Sequence, residues 1–145
     1  MILTIFDVNI IISALITPRG LVKSLLAAWQ QGRFDLLISP EMLGTLVQKL
    51  TRSRLTESYH VADRDIINFL GVVLNEARFV VPPTAARLVV TGDPEDDGVL
   101  ATAVLGHADY LVTGDRRLQR LGEYQGVKIV TARSFLEILG GTPAV

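Results

Sequence analysis

The residues best suited to chemistry in this chain are carboxylates. Four of the five residues from Asp93 to Asp97 are acidic, and they run straight into the apolar segment 99–105. A helix start accounts for part of this: Asp93 fits the N-cap, Pro94 the first helical position, and Asp96 the acceptor of a capping box. Acidic groups there also complement the positive end of the helix dipole. Asp97 is not explained this way. Helical steps from Asp97 lead to Leu100, Ala101, Val104 and Leu105, an apolar stripe, so Asp97 is expected at the head of the buried face. A charge is costly there unless something compensates it. Two more carboxylates bear on the question, Asp7 directly after the apolar run 2–6 and Asp115 shortly after the run 109–112.

Each of these carboxylates has an ordinary explanation on its own, as a helix cap or a turn residue; it is their conjunction that points to a site. Three carboxylates converging in a largely apolar protein repel one another and call for a cation between them. Cysteine is absent, and the two histidines, His60 and His107, stand alone and read as structural or exposed. An all-oxygen donor set suits Mg²⁺ or Mn²⁺ rather than zinc. Such an ion can activate a water and offset charge on a phosphoryl oxygen.

The elements that must position these groups follow from the apolar pattern. Residues 2–6 read as a strand buried on both sides, and 36–38, 79–81, 109–112 and 127–130 as further strands, with 89–91 a brief strand or an extended approach. Helices are expected over 10–16, 21–31, 41–50, 62–77, 97–106, 116–121 and 132–139. Pro18-Arg19-Gly20 separates the first two, and Trp29 falls on the core side of the second. Alternating strands and helices predict an α/β fold, a three-layer α/β/α sandwich around a central parallel sheet with right-handed crossovers. Asp7 and Asp115 then lie at the carboxyl edge of the sheet, where open parallel sheets bind ligands, and Asp97 is expected to face that edge.

Composition fits this picture. The 49% hydrophobic content suits a sheet covered on both faces, and 145 residues without a convincing linker predict a single domain with a fraying tail at 140–145. The N-terminal run carries no basic leader and is interrupted by Asp7 and Asn9, so neither a signal peptide nor a membrane span is expected. With no cysteine, a cytoplasmic location is expected. A net charge of −1 excludes a general polyanion binder, so any nucleic-acid contact must come from a local basic patch. Arg116, Arg117 and Arg120, directly after Asp115, form the candidate patch, which Arg52 and Arg54 extend.

The chain resembles the PIN-domain proteins found as toxin ribonucleases in prokaryotic toxin–antitoxin pairs. The resemblance covers nearly the whole chain. It rests on Phe6-Asp7-Val8-Asn9, Ser39-Pro40-Glu41-Met42-Leu43, Asp93-Pro94-Glu95-Asp96-Asp97-Gly98-Val99-Leu100-Ala101, Ala108-Asp109-Tyr110-Leu111-Val112-Thr113-Gly114-Asp115 and Phe135-Leu136. It implies a parallel sheet sandwiched by helices, often in a homodimer, a cognate antitoxin partner, and hydrolysis of RNA with Mg²⁺ or Mn²⁺. By position it implies Asp7, Asp97 and Asp115 as metal ligands and catalytic groups, with Asn9 and Thr113 in support. One departure stands out. The resemblance implies a further glutamate four residues beyond Glu41, and this chain has Thr45 there. Glu41, Asp93 and Asp96 are the candidates to compensate.

Two other readings compete. A PIN-like domain that has lost catalysis and survives as an interaction or RNA-binding module would account for Thr45. A phosphatase of the haloacid dehalogenase type, with Asp7 as nucleophile, would use the Gly92-Asp93 to Asp97 segment for metal. That family wants Asp-x-Asp at the first strand, where this chain has Asp7-Val8-Asn9, and a lysine upstream of the acidic segment, where Lys23 and Lys49 both fall in expected helices.

Overall fold

The computed structural model describes residues 1–17, 20–52, 61–82 and 90–140. The expected break at Pro18-Arg19, part of the 89–91 segment, His60, Arg54 and all but the first residue of the expected tail lie outside them.

Six strands form one sheet: β1 (Leu3–Phe6), β2 (Asp35–Ile38), β3 (Arg78–Phe79), β4 (Tyr110–Val112), β5 (Glu123–Tyr124) and β6 (Val127–Val130). Their order is β3-β2-β1-β4-β6-β5, parallel throughout except for the β5–β6 pair. Helices α1 (Val8–Ile16), α2 (Leu21–Gln30), α3 (Pro40–Leu50), α4 (Asp63–Glu76), α5 (Pro94–Leu105), α6 (Arg116–Leu121) and α7 (Ala132–Ile138) flank it. The central strands carry Ile5, Phe6, Leu36, Leu37, Ile38, Leu111 and Val112, all buried, because both faces are covered. Phe6, Phe34 and Phe135 pack edge to face or tilted, with centroids 5.1–6.1 Å apart, and pin α7 against the sheet. Helix α5 packs on β1, β2 and β4. Its last turn comes so close to the sheet that a Cβ on Gly106 would stand 2.8 Å from Leu37 Cδ1.

Several sequence expectations shift by a residue or two at element ends, as capping geometry dictates. Two shift further. Helix α1 begins at Val8, because the Asp7 carboxylate caps it by accepting from the Asn9 N–H. The short strand β5 was not expected. Gln125 and Gly126, at φ 47° and 87°, turn the chain tightly so that β5 folds back antiparallel on β6.

No single helix among the described residues is long and apolar enough to cross a membrane. Helices α1 and α2 are apolar as a pair, but they bury Ile11, Leu25 and Trp29 in the core.

The decisive feature is topological. From β1 the chain builds outward through β2 and β3 on one side, then returns to place β4 and β6 on the other. The carboxyl ends of β1 and β4 therefore flank the point where strand order reverses, which is where open parallel sheets form a crevice.

Candidate active site

Asp7 stands at that crevice. Its backbone N–H donates to the Val112 carbonyl at 3.0 Å, continuing the β1–β4 pairing by one residue before α1 turns away. The side chain is 4% exposed and held on both oxygens: Oδ1 accepts from the Asn9 N–H at 3.1 Å, and Oδ2 accepts from the Thr113 hydroxyl at 2.8 Å. Burial raises its pKa, and the Thr113 and Asn9 hydrogen bonds only partly oppose that. Thr113, fully buried, in turn accepts from the Asp115 N–H at 3.0 Å, so one hydroxyl ties the end of β1 to the end of β4. Asp115 caps α6 by accepting from the Arg117 N–H at 2.7 Å. Partial burial works to raise the Asp115 pKa, but the Arg117 and Leu118 N–H groups and the Arg117 charge bring it below the usual carboxylate range.

The acidic segment opens α5. Gly92, at φ 85°, lets the chain turn between Thr91 and the N-cap Asp93. Asp93 caps by accepting from the Glu95 and Asp96 N–H groups. The expected capping box does not form, because the Asp93 N–H donates to Thr91 Oγ1 instead. That leaves the Asp96 side chain free to turn toward the crevice.

Asp96 and Asp97 take different surroundings here. Both are buried, Asp97 as expected, but it is Asp96 on which the Asp115, Asp93 and Asp7 charges act. The face of α5 that packs most deeply runs through Val99, Leu100 and Ala103, three, four and seven residues beyond Asp96, and all are at most 2% exposed. Leu105, on the stripe counted from Asp97, is 41% exposed. The Asp97 carboxylate is buried but turned back on its own loop, where Oδ1 accepts from both the N–H and the hydroxyl of Thr91 at 2.9 Å. Asp96 is 8% exposed and its Oδ2 has no hydrogen-bond partner. Burial and then the neighbouring Asp115, Asp93 and Asp7 charges push its pKa up to about 7.

A cation stands on either side of the cluster. The Arg117 guanidinium lies 3.4 Å from Asp93 and 3.7 Å from each of Asp96 and Asp115. Opposite it, Lys49 in the last turn of α3 donates to Glu95 Oε1 at 2.7 Å and to Asn9 Oδ1 at 3.2 Å. Neither Lys49 nor Glu95 stood out in the sequence. The available signal was that Lys49 lies four residues after Thr45 and eight after Glu41, on the same helix face. Arg116 and Arg120 are exposed beside Arg117, while Arg52 is exposed beyond the end of α3. His107 closes the turn after α5, at φ 55°, apart from this cluster.

The position of the absent glutamate is also plain. The Thr45 hydroxyl donates back to the Glu41 carbonyl at 3.2 Å within α3. Thr45 lines a cleft of about 160 Å³ between α3 and the start of α5, lined also by Val8, Met42 and Val99. Glu41 lines its rim, with a carboxylate that makes no hydrogen bond or ion pair among the described residues. Glu95 presses electrostatically on Asp7 from this side, opposed by Lys49.

Among the described residues, no three acidic or histidine side chains already form a metal cage. The donor chemistry nevertheless fits a hard cation. Asp7 and Asp96 are buried carboxylates whose charge is undercompensated, Asp96 Oδ2 has no hydrogen bond and only the long 3.7 Å ion pair to Arg117, and no nitrogen or sulfur donor competes.

Comparisons with known proteins agree with this topology. The family model described as PIN domain matches residues 4–117, most of the chain. No curated protein matches the sequence. Among solved structures, a chain of the crystal structure of VapBC2 from Rickettsia felis, bound to a DNA fragment from their promoter, superposes with a TM-score of 0.60. It is 14% identical, and the match covers 90% of this chain and 98% of that one. At that identity the likeness is one of fold.

Proposed function

The chain belongs to the PIN-domain family, and from that premise we propose that it is a Mg²⁺- or Mn²⁺-dependent ribonuclease, the toxin of a prokaryotic toxin–antitoxin pair. One observation carries the reading: a buried carboxylate with an oxygen that no hydrogen bond satisfies, Asp96, lies within the electrostatic reach of Asp7 and Asp115 where the strand order reverses. Asp7, Asp96 and Asp115 are the residues that would hold the metal and act in catalysis. Bound there, the ion supplies a Lewis acid for the phosphodiester and a source of hydroxide at neutral pH. The chain's own residues do the rest. Thr113 and the Asn9 N–H fix the Asp7 rotamer, and Asp93 and the Thr91–Asp97 contacts hold the α5 start that presents Asp96. Arg116, Arg117 and Arg120 offer guanidinium groups to RNA phosphates next to the carboxylates.

The antitoxin partner is supported by the fold shared with the Rickettsia felis VapBC2 structure. A homodimer belongs to the same reading, with the exposed Ile67 and Leu74 of α4 as apolar surface to cover. Cytoplasmic action belongs to the same reading. Cleavage of a labelled RNA that requires Mg²⁺ or Mn²⁺, stops in EDTA and disappears in Asp96→Asn tests the proposal; cleavage that persists in EDTA overturns it.

A second reading, a PIN-domain module without catalysis, draws on Thr45 and on the lack of a ready-made three-carboxylate cage among the described residues. Under it, Mn²⁺ leaves the melting temperature unchanged. Membership in the PIN-domain family removes the ground for the phosphatase alternative.

A further inference from the structure

Where the family resemblance leads one to expect a carboxylate, this chain brings a cation to the same side of the site. Along α3, Glu41, Thr45 and Lys49 follow at four-residue spacing and so share one face. Thr45 is short and satisfied by the Glu41 carbonyl, so it adds no charge. Lys49, one turn on, reaches across to the start of α1 and α5. Its side chain is 24% exposed, and its ammonium donates to Glu95 at 2.7 Å and to Asn9 at 3.2 Å. Both partners sit next to the Asp7 cap, Asn9 by its backbone hydrogen bond to Asp7 and Glu95 by its charge. Neither partner saturates the ammonium. It carries three donors, two are used, and the Glu95 side chain is 39% exposed, so water can replace the ammonium at its carboxylate.

We propose that Lys49 is a substrate-binding residue of this site, whose ammonium leaves Glu95 to take a phosphate oxygen of the RNA on the α3 side of Asp7. The inference rests on the nuclease reading above. In the free protein Glu95 holds the ammonium in place beside the crevice and competes with phosphate for it. Lys49 and the arginines of α6 then bracket the carboxylates from opposite sides, leaving a path for a single strand between them. The cleft lined by Thr45, Met42 and Val99 lies next to this path. A glutamate at position 45 would put another negative charge there, whereas threonine leaves room and no repulsion.

The test is RNA binding without divalent ions, so that cleavage plays no part. A labelled single-stranded RNA is titrated in EDTA against wild type, Lys49→Gln, Glu95→Gln and the double variant, over a range of salt. Losing one phosphate contact to a single strand flattens the salt slope by about 0.7, which at about 0.1 M salt is roughly a fivefold loss of affinity. Lys49→Gln should show that loss, while Glu95→Gln should bind more tightly because its competition is gone. In the double variant the gain from Glu95→Gln should vanish, since it acts through Lys49. If Lys49 serves only as a salt-bridge partner, Lys49→Gln keeps wild-type affinity and salt slope, and the proposal is overturned. If the Glu95→Gln gain persists in the double variant, general repulsion explains it, and that also overturns the proposal. Failure of the nuclease reading looks different: wild type then neither binds the RNA nor cleaves it in Mn²⁺, and both inferences fall together.

Discussion

Replacing Asp96 should make the metal-free protein more stable while abolishing its function. The magnitude follows from where the carboxylate sits. Its pKa is pushed from 3.8 up to about 7 by burial and by the Asp115, Asp93 and Asp7 charges. An acid whose folded pKa lies above its unfolded value binds its proton more tightly in the folded state. Its contribution is therefore fully favourable below about pH 4, and it is lost as pH rises through about 7. The full step corresponds to on the order of 4 kcal/mol by pH 8. Asn keeps the shape and carries no charge, and its amide can donate toward Asp115 as the protonated acid does. The amide must still be desolvated, so the net gain at pH 8 is expected to be about 2 kcal/mol. Urea unfolding in EDTA at pH 5 and pH 8 measures this. Asp96→Asn should match wild type at pH 5 and exceed it at pH 8. Asp97→Ala should do the opposite at both pH values, losing about 2 kcal/mol with the two hydrogen bonds from Thr91. If Asp96→Asn is destabilised at pH 8, or if its difference from wild type ignores pH, Asp96 is not the strained carboxylate described above.

Other perturbations have clear signs. Thr113→Val removes the hydroxyl that Asp7 Oδ2 accepts from, and should cost about 1–3 kcal/mol at pH 8 by urea unfolding. Arg117→Gln withdraws the guanidinium that faces Asp93, Asp96 and Asp115 and should tighten Mn²⁺ binding in calorimetry without RNA. Gly106→Ala drives a Cβ into Leu37 and Val80 and should cost about 1–3 kcal/mol in thermal or chemical unfolding with Mn²⁺ affinity unchanged.

Much of the architecture could be read from the sequence because its strands are apolar on both faces and its helices carry caps. The runs at 2–6, 36–38 and 109–112 could only be buried strands, and Ser39-Pro40 and Asp93-Pro94 announce helix starts that the structure contains. The placement of Asp7 and Asp115 followed from strand ends. The choice between Asp96 and Asp97 did not, because α5 is apolar on nearly every side and offers no single stripe to count from. What decides it is the packing of Val99, Leu100 and Ala103 together with Thr91, a loop residue that captures Asp97 and displaces the capping box. Lys49 was hidden for a similar reason. A lysine in the last turn of a helix is ordinary, and only the approach of α3 to the start of α5 brings it to Asn9 and Glu95.

The most direct measurement is a calorimetric titration of Mn²⁺ into wild type, Asp7→Asn, Asp96→Asn and Asp97→Asn, with folding checked for each. Wild type should bind, Asp7→Asn and Asp96→Asn should not, and Asp97→Asn should bind nearly as well, because its amide oxygen still accepts from Thr91. Binding that survives Asp96→Asn but is lost in Asp97→Asn would contradict the geometry on which the nuclease proposal stands.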